Sequence, residues 1–185
     1  MRPLAFVLLI LFSCSGCSSD ALSRQAVDYL GWAKNLFRSI PVPKHSASAP
    51  DPHRVLKDVN LYRRQNGLRP LRYSVTCQAA AKIQVTHNAK VGDYGHDNPT
   101  YAHGIDRLRA VNHRFGATRF HWNENALRYT LARDPAHNPA WHVFHRYHES
   151  PHHDAAMLNP KVTQFGTASV VDAQGHMYNV EVFAN

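Results

Sequence analysis

The chain has 185 residues and carries 21 Lys+Arg against 13 Asp+Glu, a formal net charge of +8. Its 44% hydrophobic and 18% charged content excludes global disorder, and its length admits one compact domain with an appendage but not two ordinary domains. Arg2, Arg24, Lys34, Arg38 and Lys44 precede residue 51 against only Asp20 and Asp28, so the rest is moderately basic: a solvated surface, or one drawn to lipid headgroups or cell-wall polymers.

Met1-Arg2 followed by the apolar run Leu4 to Phe12 has the positive start and short hydrophobic stretch of a secretion signal. The run is too short to stay in a bilayer as a spanning helix. Ser13-Cys14-Ser15-Gly16-Cys17-Ser18-Ser19 resembles a bacterial lipoprotein cleavage site, with small residues directly before a cysteine that becomes acylated. Cys17, preceded by Ser15-Gly16, is the expected acylation site, and Cys14 is the alternative. No Asp directly follows either cysteine, which by the same resemblance points to an anchor in the outer membrane, facing the periplasm. An ordinary cleaved signal and a free periplasmic protein is the competing reading. Cys77 then remains alone, so the mature domain forms no internal disulfide, and it reads as a small buried hydrophobe.

Leu22, Ala26, Tyr29, Leu30, Ala33, Phe37 and Ile40 recur at three- and four-residue steps, an amphipathic helix that lies on a membrane or docks on the domain. Pro41 to Pro52 is a Pro/Ser/Ala-rich linker. From there Val55, Leu56, Val59, Leu61 and Tyr62 form a helical stripe stopped by Asn66-Gly67. Leu68 to Leu71 is an extended connector, and Val75 to Val91 a second helix whose Ala79, Ala80, Ala81 and Ala89 permit close packing on a sheet. A loop covers Gly92 to His103. A third helix is expected over Gly104 to Phe115, ended by Gly116, then a strand over Arg119 to Arg128 and a fourth helix over Pro139 to His148, with Pro139 in its first turn. Val162 to Val171 and Met177 to Phe183, separated by Asp172-Ala173-Gln174-Gly175, read as a β-hairpin. Helices first and a closing hairpin predict an α+β domain.

Three motifs occupy breaks between helical stretches: Gly95-His96-Asp97-Asn98-Pro99 leading to Asp106-Arg107-Leu108-Arg109, Asn123-Glu124-Asn125, and Glu149-Ser150-Pro151-His152-His153 running to Leu158-Asn159-Pro160. Loops on a rigid scaffold are where chemistry usually sits. Together with Asn60 to Leu71, Phe165-Gly166-Thr167-Ala168 and Tyr178 to Phe183, they make residues 53–185 resemble a CAP-superfamily (SCP-like) domain of the bacterial type. The resemblance implies a three-layer α-β-α sandwich with a His/Glu cleft. It makes His96 and His153 the paired cleft histidines and Glu124 a cleft carboxylate.

Two neutral imidazoles converging on one point can hold Zn²⁺ or another divalent metal with open positions for water. A nearby Glu either orients an imidazole or acts as a general base. Where some members supply a second Glu, this chain has Ser150, and Glu149 stands one position earlier as the tentative second catalytic carboxylate beside Glu124. Asn123 replaces the usual Gly before the Glu, a change Asn tolerates through left-handed backbone, and His152 replaces a Gly beside His153. Read on residues alone, His96 is an exposed loop residue and Glu124 a structural carboxylate in a tight turn.

His142, His145, His148, His152 and His153 form a cluster at one helix end. It is either a cation- or pH-responsive surface or a set of exposed positions on a helix whose buried face is Trp141 and Phe144. No nucleophilic serine elbow, phosphate loop or nucleotide fingerprint is present, and scattered basic residues on an exported chain argue against nucleic-acid binding. The expected function is binding of a small, lipidic or cell-envelope ligand in the His/Glu cleft, with a divalent metal at His96 and His153 as its cofactor. A metal-assisted, peptidase-like hydrolase and a partner-binding scaffold are the alternatives.

Overall fold

The computed structural model describes residues 49–114, 120–130 and 138–185. The signal, both candidate acylation cysteines, the amphipathic segment and most of the linker lie outside these residues, as do Phe115, Gly116 and Arg119. The elements run α1 (Pro52–Gln65), β1 (Arg72–Tyr73), α2 (Val75–Val91), α3 (Gly104–Val111), β2 (Trp122–Thr130), α4 (Pro139–His148), α5 (Pro151–Met157), β3 (Gln164–Val171) and β4 (His176–Ala184).

Local chemistry sets most boundaries. Asp51 caps α1 by accepting from His53 N–H at 2.9 Å, Pro52 opens it, and Gly67 takes the left-handed φ of 71° just after it. Ser74 caps α2, and Gly92, also at φ 71°, closes it. The third helix is shorter than its pattern predicts. Asn112 turns extended after Val111, and residues 112–114 do not continue the helix. The following strand begins at Trp122 and continues to Thr130. Two elements went unpredicted: the two-residue β1, and α5, which Ser150-Pro151 opens in the manner of a helix start. His153 therefore stands on a helix rather than in a break.

The sheet order is β1-β3-β4-β2, with β1 parallel to β3 and the other pairs antiparallel. Helix α2 covers one face against β3 and β4, with α3 packed on α2, while α1, α4 and α5 cover the other. This is the expected α-β-α sandwich. Val55, Val59, Val143, Tyr147, Met157, Phe165 and Phe183 fill the second layer, and Cys77, Ala80, Ala81 and Val85 are buried on the α2 side. Burial pushes the Cys77 thiol up to about 11, which makes it a poor nucleophile. On α4 the buried positions are Ala140, Val143 and Tyr147. Trp141 remains 37% exposed and is not on the buried face, while Phe144 is partly buried against the core. Arg63, fully enclosed, donates to the carbonyls of Arg69, Met157 and Asn159 at 3.0, 2.6 and 3.0 Å and ties α1 to the end of α5.

The contact of α2 with β3 is tightest at Gly166. A Cβ there would lie 2.0 Å from Gln78 N and 2.5 Å from Cys77 C, both backbone atoms that cannot swing away. Gly166→Ala should therefore cost about 1–3 kcal/mol, the range for overpacking. Urea denaturation of the purified protein checks this, and an unchanged midpoint would contradict the reading.

Candidate functional site

The site is assembled across the free edge of β2 from both faces of the sheet. Alternation along the strand points Glu124 and Arg128 toward the α2 side, and Asn125, Leu127 and Tyr129 toward α4 and α5. Glu124 lies within a strand rather than a tight turn, and no non-glycine residue has positive φ among the described residues. Asn123 therefore needs no left-handed backbone: it sits in β2 and accepts from the Asn159 amide at 2.5 Å.

Glu124 is 3% exposed and held by Arg107, itself fully buried, through Nη2 contacts of 2.6 and 2.5 Å to its two oxygens. The same carboxylate meets His96 Nδ1 at 2.9 Å. Removing one partner of such a pair would leave a buried charge without compensation. The loop bearing His96 is braced from below. Gln84 donates to the carbonyls of Gly95 and Asp97, both at 2.9 Å, and Asn88 to Gly95 O at 3.1 Å. His96 is thereby fixed with Nδ1 toward Glu124 and Nε2 as its remaining ring nitrogen, while 56% of the side chain stays exposed.

His153 comes from α5 on the other face. Its ring packs edge-on against Tyr147 at 5.1 Å. Beneath it, Asn125 donates to His153 O at 3.2 Å and to Glu181 Oε2 at 3.1 Å. The two imidazoles are shifted apart. The Glu124 hydrogen bond raises the His96 pKa, while burial, then the charges of His96 and His152, lower that of His153. The pair thus offers one readily protonated and one readily neutral ring.

Arg107, Gln84, Asn88 and Asn125 complete the site and were not singled out in the sequence as site residues. Arg107 carried a signal: it lies among Gly104, Leu108 and Val111 on the buried side of α3, and a buried guanidinium needs hydrogen-bond acceptors, of which a carboxylate is the strongest. Glu149 stands apart. It caps α4 with its side chain 65% exposed, 3.9 Å from Arg146 Nη1. The histidine cluster divides between two helices. His148 bonds Asp154 at 2.8 Å and stacks on Phe144, His145 lies 3.8 Å from the Trp141 ring, and only His153 turns to the cleft. Among the described residues, no group of three or more His, Cys, Asp or Glu is gathered for a metal.

From His153 the cleft continues along β2 as a cavity of about 470 Å³, bounded by Tyr94 on one side and Arg146 and Ser150 on the other. Its support contains a fully buried Glu181, whose pKa burial raises from 4.5 to about 8. The folded protein thus keeps this proton to about pH 8 while the unfolded chain loses it near 4.5. Stability from Glu181 is complete below the lower value and falls as pH rises toward the upper one. Glu181→Gln should flatten this decline between pH 5 and 8 in urea denaturation; an unaltered slope would contradict the assignment.

The sequence profile of the cysteine-rich secretory protein family, CAP, matches residues 56–183, well over half of the chain. Among solved structures, the fold is similar to an outer surface protein from Borrelia burgdorferi, with TM-score 0.59 and 14% identity over 71% of this chain and 89% of that one. It is also similar to an extracellular SCP-domain protein from Bacillus anthracis str. Ames, with TM-score 0.53 and 19% identity over 71% of this chain and 39% of that one. No curated protein matches the chain. The profile match over most of the chain, with the sandwich already described, makes this chain a member of the cysteine-rich secretory protein (CAP) family.

Proposed function

We propose that this is an exported, envelope-anchored CAP-domain protein whose cleft binds a small, lipidic or cell-envelope ligand without turning it over. The observation that carries this reading is the state of Glu124. A carboxylate that is 3% exposed, bonded through both oxygens to Arg107 and through one of them to His96 Nδ1, is shielded from bulk water and committed to holding these two side chains. It acts as a positioning residue that aims His96 outward. Glu149, exposed beside Arg146, supplies no substitute base at the histidines. Arg146 and the readily protonated His96 favour an anionic or hydrogen-bond-accepting group on the ligand.

A divalent cation is the second reading, favoured by His96 Nε2 and the His153 ring, neither of which is engaged by a hydrogen bond among the described residues. These two nitrogens would hold it, and the bound ion would supply Lewis acidity and an attachment point for a ligand oxygen. Two protein ligands make a weak site. Zinc calorimetry at pH 7.5, where unperturbed imidazoles are mostly neutral, should give binding that disappears in the folded His96→Ala/His153→Ala variant. Binding that survives the double change removes the metal from the cleft.

Anchoring is proposed from the sequence alone, through the apolar run and Cys17. No helix among the described residues is long and apolar enough to cross a membrane. In cells fed a radiolabelled or alkyne-bearing fatty acid, label should enter the protein and be lost in Cys17→Ala. Label retained in Cys17→Ala but lost in Cys14→Ala would move the anchor to Cys14.

A further inference from the structure

The outer edge of β2 has a defined set of backbone groups facing the cleft. Asn185 N–H donates to His121 O at 3.2 Å, which makes these two a hydrogen-bonded pair. Ladder alternation then joins Asn123, Asn125, Leu127 and Tyr129 to β4. The neighbouring ladder agrees independently. Asp172 N–H donates to His176 O at 2.9 Å, so the even-numbered residues of β4 bond β3 and its odd-numbered residues bond β2. The N–H and C=O of Ala126, Arg128 and Thr130 are left pointing away from β4, and all three residues line the cavity. Among the described residues no strand pairs with this edge. Alternate residues of a strand are about 6.8 Å apart, so these groups repeat at the interval at which another extended chain presents its own.

The surroundings select the charge of such a chain. Arg128, Arg146 and His153 line the cavity, and no Asp or Glu is among the described residues that do. Arg128 gives one hydrogen bond to the neutral Gly92 carbonyl at 2.7 Å. Arg146 meets a carboxylate at Glu149, 3.9 Å away, with both side chains mostly exposed. Side chains of an added strand would alternate between the Arg128 side and the side of Tyr129, Arg146 and His153, so carboxylates on either are met by a cation.

We propose that the cleft recognises an extended, carboxylate-bearing peptide segment that adds a strand to the outer edge of β2. Main-chain hydrogen bonds to Ala126, Arg128 and Thr130 give affinity, and the arginines select acidic side chains. This rests on the ligand-binding reading of the cleft and names its ligand class.

The test is fluorescence anisotropy with a labelled, end-blocked hexapeptide alternating valine and glutamate, at low salt. The expected result is saturable binding, at least tenfold weaker for the lysine-for-glutamate peptide and for Arg146→Glu. N-methylation of one alternate set of peptide amides should abolish binding, while methylation of the other set is tolerated, because only one set faces β2. Thr130→Pro deletes an N–H that β4 does not use, and proline is accepted on edge strands; it should weaken binding about tenfold while thermal denaturation shows the fold intact. If that variant does not fold, the N-methyl pair decides alone. Equal effects of the two methylation patterns, or no discrimination between acidic and basic peptides, overturn the proposal. Absent peptide binding alongside zinc binding that needs His96 and His153 overturns strand addition and leaves the cleft reading standing.

Discussion

The buried pairing of Arg107 with Glu124 fixes the relation between α3, the edge strand β2 and the loop that carries His96. Both side chains are withdrawn from water, so each is stable as an ion only while the other is in place. The guanidinium also lies within 3.4 Å of the His96 carbonyl, and the carboxylate reaches the His96 ring at 2.9 Å. One interaction therefore joins a helix, a strand and a functional side chain. Gly104, at the start of α3, complements it: a Cβ there would lie 2.3 Å from the Trp122 ring. Small size at that point lets the helix approach β2 closely enough for the pair to form.

The opposite face of β2 is organised by neutral polar groups. Tyr147 donates to Asn179, Asn179 donates to Thr167 and Ser169, and Asn125 links Glu181 to the backbone of His153. This network lies below α5 in place of the aliphatic packing that fills the rest of the layer. Pairing restricts buried polar groups to one arrangement, and within this network only Asn125 Oδ1 and Glu181 Oε1 are left without a hydrogen-bond partner among the described residues. Glu181, kept protonated by burial, can sit there without a cation. Its counterpart is Glu124, bonded through both oxygens to the Arg107 guanidinium. Two carboxylates on adjoining strands thus sit in different surroundings, one with a guanidinium partner and the other with an amide.

These two supports explain how imidazoles are presented beside one strand edge from opposite faces of a sheet. His96 is held by an ion pair from the α2 side, and His153 by a helix seated on an amide network from the α5 side. The edge of β2 runs between them. A strand in the middle of the sheet would be covered by neighbours on both sides, so the cleft depends on β2 being last in the order. Its unpaired backbone groups are normally a liability for an exposed strand; here the walls of the cleft flank them.

Much of the architecture can be read from the chain itself. Asp51-Pro52, Ser74, Asn138-Pro139, Gly67 and Gly92 fix helix ends through bonds and φ values that depend on a few adjacent residues, and the hairpin follows from β-rich runs about a Gly-containing turn. His96, Glu124 and His153 are legible as a set only through the order and spacing of their motifs. What the chain does not disclose depends on partners distant in sequence. The two-residue β1 exists because Gln164 and Phe165 lie beside it, and no local pattern marks so short a strand. The buried face of α4 turns to Val143 and Tyr147 because of the core that packs against them. Arg107, Asn125 and Glu181 acquire their roles only when burial removes water and makes each polar atom need a partner. Local propensity therefore determined most of the elements, and burial against remote segments decided which polar groups are paired, where they point and which strand edge is left open.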